Sequence, residues 1–175
     1  LAGNAEFEDK EGISELVSTC MRSNVGVLGA RSYYKNGTLE HAGCVIGMNG
    51  SAGSLFEHTL RGEKGYFSHI VTQMQYSAVA GACMMVKKDA FDKVKGFDEA
   101  YKGELGKVDL CLKIRNKHMS VVYNPYVKVM RWSNGLRNNE NDEKLFKKQW
   151  AEILEKDDPY YNKNLSLSVS GCNIR

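Results

Sequence analysis

The chain has 175 residues, 42% of them hydrophobic, and a formal net charge of +3. This size and apolar content predict one compact domain with its own core. The charge is small and interspersed, which argues against nucleic acid as a partner. No apolar run approaches the roughly 20 residues that a membrane-spanning helix needs. Because the sequence begins at Leu1 and not at Met, we expect a fragment or a processed form of a longer protein.

The five cysteines are widely spaced and form no CxxC or Cys/His metal pattern. Four of them sit in apolar stretches, where a free cysteine behaves as a small hydrophobic residue. This usage predicts a reducing, cytoplasmic environment. The four histidines are scattered, and we expect ordinary core or surface residues at these positions instead of metal ligands.

The first third of the chain shows a helix, a strand and a hairpin. Apolar residues at helical spacing follow Asp9, a candidate N-cap, and predict an amphipathic helix of about three turns. The apolar run at 25–30 is typical of a buried strand. Asn36-Gly37 then predicts a type I′ hairpin turn, because both central residues of that turn need a positive φ.

The segment AGCVIGMNGSAG (42–53) is rich in glycine but does not have the pattern of a phosphate-binding loop. Such a loop needs a lysine and a serine or threonine after its last glycine, and neither follows here. We therefore expect a flexible surface loop. Residues 54–75 are mixed and polar, and their pattern predicts no element.

The rest of the chain alternates strand and helix patterns. Strands are predicted at 79–86, at 120–123 (ending before Pro125) and at 126–132, and helices after Asp89, at 108–114 and in the charged C-terminal region. The C-terminal helix and tail cover about 139–175. This alternation favours a single α/β domain over 1–175.

Four segments in this order resemble family 2 glycosyltransferases of the kind that build bacterial polysaccharides. They are GVLGARSYYKNGTLEHAGCVIG (26–47), SAVAGACMMVKKDAFDKVKGFDE (77–99), VDLCLKIRNKHMSVVYNPYVKV (108–129) and DPYYNKNLSLS (158–168). The resemblance covers most of the chain. It implies a GT-A fold, a mixed sheet flanked by helices, of which this chain is the C-terminal, acceptor-side portion. Most of the N-terminal half, which binds the nucleotide sugar in that family, is expected to be missing.

Inverting sugar transfer needs a carboxylate that takes the proton of the acceptor hydroxyl. The family places this base just before the helix that reads VDLCL here, and the corresponding residue of this chain is Lys107. A protonated lysine cannot accept a proton at neutral pH unless it is strongly desolvated. Asp109 is retained, although in the family this second aspartate more often has a supporting structural role. Glu104 lies close in sequence and is an alternative base.

The family also uses a divalent cation, Mg²⁺ or Mn²⁺, to neutralise the leaving diphosphate. Its acidic motif corresponds to Asn4 and Glu6. Because Asn4 replaces a carboxylate, we expect weakened metal binding; the alternative is that Asn4 only begins a loop.

A histidine that stands near the metal in the family is replaced here by Arg131 or Trp132. Lys107 and Arg131 thereby supply two cations, and cations can neutralise a diphosphate without a metal. Trp132 is also a candidate for stacking on a sugar ring, as are Tyr123 and Tyr126, unless these aromatic residues only serve packing.

The sequence thus predicts a glycosyltransferase-like domain of polysaccharide biosynthesis, related to enzymes that transfer a sugar from a nucleotide-sugar donor to a glycan acceptor with inversion. Three substitutions at three chemical positions predict that this copy is catalytically impaired. The alternatives are a degenerate glycan-binding or scaffold module within a larger transferase, and a purely structural domain. Fold resemblance alone does not separate them.

Overall fold

A computed structural model describes residues 1–133 and 138–174 of the chain. Arg175, the last residue of the predicted tail, lies outside these ranges. The strands are β1 (Ala5–Phe7), β2 (Val25–Tyr34), β3 (Leu39–His41), β4 (Cys44–Ile46), β5 (Ala52–Ser54), β6 (Met74–Gln75), β7 (Met84–Val86) and β8 (Ser120–Arg131). The α-helices are α1 (Gly12–Cys20), α2 (Lys88–Lys93), α3 (Leu105–Arg115), α4 (Glu140–Gln149) and α5 (Ala151–Leu154), and short 3₁₀ turns cover Met48–Gly50 and Tyr66–Val71.

The predicted α/β class is confirmed by a six-stranded mixed sheet with helices on both faces. The sheet has the order β1-β8-β2-β3, with β6 paired to β8 and β7 paired to β2. Its two central strands, β2 and β8, run parallel to each other, and the other pairs are antiparallel. Strands β4 and β5 form a separate two-stranded hairpin.

Side chains alternate between the two faces of the central strands, as the pleat requires. Leu28 and Val122 pack with Leu16 of α1 in one core cluster. Their chain neighbours Val27 and Val121 belong to the larger cluster on the opposite face, where α3 and α4 pack. All five cysteines are free and buried, as the apolar surroundings of four of them predicted.

The predicted hairpin is present, but its turn type is different. Tyr34 and Thr38 close a three-residue loop through the Tyr34 N–H to Thr38 C=O bond, and Gly37 has a φ of 83° while Asn36 has no positive φ. A three-residue loop of this kind needs one left-handed residue, so glycine alone meets the requirement. The Asn36 side chain instead accepts hydrogen bonds from Thr38.

The prediction of a flexible surface loop at 42–53 was wrong. This segment forms the β4–β5 hairpin, whose strand Cys44–Ile46 is buried throughout. Its glycines serve close packing: Gly43 has a φ of 107°, and a Cβ there would lie 2.3 Å from the Tyr76 ring. The C-terminal tail covers the hairpin, since Asp158 Oδ2 accepts the Ile46 N–H at 2.8 Å. Burial of this kind depends on distant residues and has no local signature.

Several predicted boundaries also shifted. Glu11 is the N-cap residue of α1, where Asp9 was expected, and the strand predicted at 79–86 is regular only in β7. The two strands predicted on either side of Pro125 form one strand, β8. Asn124 and Lys128 pair with the consecutive residues Ala30 and Arg31 of β2, so a bulge holds Pro125, which lacks an N–H for the ladder.

Candidate functional site

An open cleft of about 600 Å³ lies beyond the carboxyl ends of the two parallel strands. Tyr34 ends β2 and Arg131 ends β8, and both line the cleft together with Glu104, which precedes α3. Ligands of open α/β sheets bind in the crevice outside the carboxyl ends of the strands. The cleft is therefore the candidate site of this domain.

Four charged side chains connect β3, β8 and α3 beside the cleft in an alternating row. Arg131 forms an ion pair with Glu40 through Nη1 and lies 3.6 Å from Glu104 Oε1 through Nη2. Lys107 Nζ donates to Glu104 Oε2 at 2.7 Å and to the carbonyl oxygen of Gly81 at 2.8 Å. The row has two cations and two carboxylates, so its formal charge is zero.

This charge balance bears on the two roles expected for Lys107 and Arg131. The ammonium of Lys107 is held by two acceptors, and it offers no lone pair for a proton. The Arg131 side chain is only 3% exposed and already faces two carboxylates. An anionic diphosphate would have to displace Glu40 and Glu104 from these cations. The row thus behaves as a neutral structural unit, and not as an open cationic site.

Glu40 and Glu104 occupy different environments within the row. Burial raises the pKa of Glu40, and the positive charge of Arg131 opposes this rise. Glu104 is partly exposed and lines the cleft, but one of its oxygens faces Lys107 and the other faces Arg131. Both oxygens of the Glu104 carboxylate therefore already have a cationic partner.

Asp109, the second candidate at the start of α3, lies in the core and not at the cleft. It is fully buried, and Oδ1 accepts hydrogen bonds from Gln149 Nε2 at 2.9 Å and Trp150 Nε1 at 3.1 Å. Oδ2 lies 2.7 Å from Lys113 Nζ. The side chain therefore ties α3 to α4 and the residue that follows it.

The metal candidates Asn4 and Glu6 do not fit a divalent cation. The Asn4 amide donates to the Ser133 hydroxyl and carbonyl oxygens, while Glu6 is exposed on β1 opposite Met130. One carboxylate and one engaged amide fall short of the oxygen ligands that Mg²⁺ or Mn²⁺ requires. In the part of the chain that the structure describes, no group of three His, Cys, Asp or Glu side chains could hold a metal ion.

The three aromatic candidates differ in their exposure and in whether they line the cleft. Trp132 is 49% exposed and lines the cleft, where its ring is available to a ligand. Tyr123 is fully buried, and its hydroxyl donates to the Ile70 carbonyl oxygen at 2.8 Å. Tyr126 is exposed but is not part of the cleft lining.

His41, in the HAG segment, supports the loops that form the floor of the cleft. Its Nε2 accepts the N–H groups of Gly43 and Ala80, each at 3.3 Å, so the proton is on Nδ1, which lies 3.3 Å from Ser54 Oγ. Burial, aided by the charges of Lys107 and Arg131, lowers the pKa of His41 to about 3. His41 is a neutral core residue, as the scattered histidines predicted.

Sequence reasoning missed several cleft residues. Glu57 and His58 come from the segment whose pattern predicted no element, and Glu40 lies in a hairpin strand with no unusual signature. Asn138 also lines the cleft, and its Oδ1 accepts the Leu105 N–H at the start of α3, 2.9 Å away. A single acidic residue that follows a glycine-rich stretch is too common a sequence pattern to have identified Glu57.

The fold and the cleft define the class as an α/β domain with a mixed sheet and a polar, aromatic-edged cleft. Comparison with curated proteins found two similar sequences. "Uncharacterized protein y4gI" of Sinorhizobium fredii is 34% identical over 168 residues, which cover 89% of this chain and 18% of that protein. O-antigen biosynthesis protein RfbC of Myxococcus xanthus is 30% identical over 181 residues, which cover 100% of this chain and 14% of that protein.

The chain thus spans less than a fifth of either curated relative. No protein-family profile matches it, and no solved structure matches it. Every helix within residues 1–133 and 138–174 is too short or too polar to cross a membrane.

Proposed function

We propose that this chain is a sugar-binding, glycosyltransferase-like domain of polysaccharide biosynthesis, of family 2 type and with a GT-A-like fold. The cleft carries the proposal. It presents carboxylates, amides and the half-exposed Trp132 at the carboxyl ends of β2 and β8. Hydroxyl-rich ligands are bound by such donors and acceptors beside an aromatic ring. Full-length similarity of the chain to part of an O-antigen biosynthesis protein supports the same role.

Within this proposal, the domain binds a glycan but is impaired in sugar transfer. The position of the base is occupied by Lys107, whose ammonium is held by Glu104 and Gly81. Glu104 is the carboxylate nearest to Lys107, and it faces both Lys107 and Arg131. Asp109 is buried away from the cleft. No side chain of this group is a free base beside a bound acceptor.

A turnover assay on the protein at its full natural length tests the impairment. Hydrolysis of a panel of nucleotide sugars is measured with and without Mn²⁺ for the unmodified protein and for Lys107→Asp. Lys117→Asp changes the same charge at an exposed position beyond α3 and serves as the control. We expect no turnover from the unmodified protein or the control.

Two outcomes of this assay decide whether Lys107 accounts for a loss of activity. Turnover by Lys107→Asp alone would assign the loss of activity to this position. Turnover by the unmodified protein would contradict the impairment and would make Glu104 or another group the base.

A further inference from the structure

A second cluster of polar side chains lines the cleft apart from the charged row. Tyr34, at the end of β2, donates its hydroxyl hydrogen to Glu57 Oε1. The His58 ring stacks on the Tyr34 ring, with centroids 5.3 Å apart and an angle of 20° between the planes. All three residues belong to the cleft lining, and His58 is 70% exposed, so one ring face remains open.

Glu57 differs from the other two carboxylates of the cleft. Glu40 is paired with Arg131, and Glu104 with Lys107 and Arg131. Among the described residues, Glu57 pairs with His58, at 3.8 Å between Oε1 and Nε2, and with no lysine or arginine. Its side chain is 37% exposed. Glu57 is thus the cleft carboxylate that remains available to a ligand.

The backbone holds this cluster in place. Phe56 and His58, on either side of Glu57, have left-handed φ values of 59° and 67°, which non-glycine residues rarely adopt. Hydrogen bonds fix both: the Phe56 N–H donates to Ser170 O at 2.7 Å, and the His58 N–H donates to Leu39 O at 2.8 Å. A backbone fixed in this way loses little conformational entropy when a ligand binds.

Burial and the neighbouring Glu57 carboxylate raise the pKa of the Tyr34 phenol well above its ordinary value. The phenol therefore stays protonated and continues to donate to Oε1. This arrangement leaves Oε2 of Glu57 as an acceptor for hydroxyl groups, next to the open face of the His58 ring.

We propose that Tyr34, Glu57 and His58 form a subsite for an uncharged hexose unit of the glycan. A sugar ring packs on the open face of His58, and its hydroxyls donate to Glu57. The same carboxylate disfavours a uronic acid, because the negative charge of Glu57 repels the carboxylate of that sugar. The inference deepens the proposed function and rests on it, since it specifies which class of sugar the cleft selects.

Calorimetric titration of the protein at its full natural length tests the selectivity. The probes are methyl glycosides of glucose, galactose and mannose, each beside the methyl glycoside of its uronic acid. The variants are Glu57→Gln and His58→Ala, and Glu63→Gln is the control at an exposed position of the following loop. Glutamine keeps an oxygen that accepts the Tyr34 hydroxyl, so Glu57→Gln preserves the internal contact.

For the sugar that binds most tightly, we expect at least a tenfold preference for the neutral form over the uronic acid. Glu57→Gln should reduce that preference to threefold or less, His58→Ala should weaken binding of both forms, and Glu63→Gln should change neither. Thermal unfolding and circular dichroism of each variant confirm that the fold is retained.

The two proposals fail in distinguishable ways. Binding of neutral sugars with an unchanged preference in Glu57→Gln would overturn the subsite and leave the proposed function standing. A failure of every neutral and acidic sugar to bind the unmodified protein would overturn the proposed function itself.

Discussion

His41 is the residue on which the loops under the cleft depend. It accepts N–H groups from Gly43 and Ala80 through one nitrogen, and its buried position excludes the charged form. Because the unfolded chain exposes the same imidazole to water, the folded and unfolded states bind protons differently between their two pKa values.

This difference in proton binding makes the stability of the folded protein depend on pH. The pKa of His41 is about 3 in the folded protein and about 6.5 in an exposed histidine. Between these values the unfolded state binds more protons, so the free energy of unfolding falls as the pH falls. Below about pH 6.5 the loss approaches roughly 1.4 kcal/mol per pH unit.

Urea unfolding at pH 7.5 and pH 5 measures this loss in the unmodified protein and in His41→Gln, whose amide oxygen can accept an N–H and does not titrate. We expect the unmodified protein to lose about 1–2 kcal/mol more than the variant over this interval. Equal losses in the two proteins would show that His41 is not held neutral.

At the scale of elements, Asp109 joins α3 to the C-terminal helices. Its fully buried carboxylate accepts from Gln149 and Trp150 and pairs with Lys113. Asp109→Asn removes the charge that Lys113 faces and places an amide group where an acceptor is needed. We expect the free energy of unfolding to fall by about 2–4 kcal/mol.

Two readouts separate this structural role from a role in the cleft. Chemical denaturation should show the loss of stability in Asp109→Asn, and glycoside affinity of the folded variant should stay within about twofold of the unmodified protein, because Asp109 does not line the cleft. Glu143→Gln, at an exposed position of α4, is the control and should change stability by less than about 0.5 kcal/mol. A large loss of affinity with unchanged stability would point to catalysis or binding instead.

Elements with a strong local pattern were predicted well from the sequence. The apolar run at 25–30 belongs to β2, the Asn36-Gly37 turn joins β2 to β3, and the 108–114 pattern lies within α3. The glycine-rich segment was misjudged because its glycines resemble those of loops. Their function becomes clear only when Tyr76 and the C-terminal tail, which are distant in sequence, pack against the hairpin.

The candidate site was only partly predictable for a related reason. Motif order pointed to Glu104, Lys107, Arg131 and Trp132, and the structure brings these residues to one region. The sequence did not predict the other carboxylates of the cleft, Glu40 and Glu57. Glu40 reaches Arg131 through the hairpin, and Glu57 is positioned by left-handed φ values at Phe56 and His58 that no residue type signals.

At the scale of the whole molecule, the parallel pair β2 and β8 determines where a ligand is expected. Both strands end at the cleft, and the helices and the C-terminal tail pack against the rest of the fold. The charged row beside the cleft is neutral in sum, and Glu57 and Trp132 remain open to a ligand. We therefore expect a sugar to bind at this end of the sheet.

The two tryptophans of the chain make this claim directly measurable. Trp132 lies half-exposed in the cleft, whereas the indole N–H of the buried Trp150 donates to Asp109. In a titration with neutral methyl glycosides followed by ¹H–¹⁵N NMR, we expect the Trp132 indole signal to shift saturably and the Trp150 signal to stay in place. A stationary Trp132 signal, or equal shifts of both signals, would contradict sugar binding in the cleft.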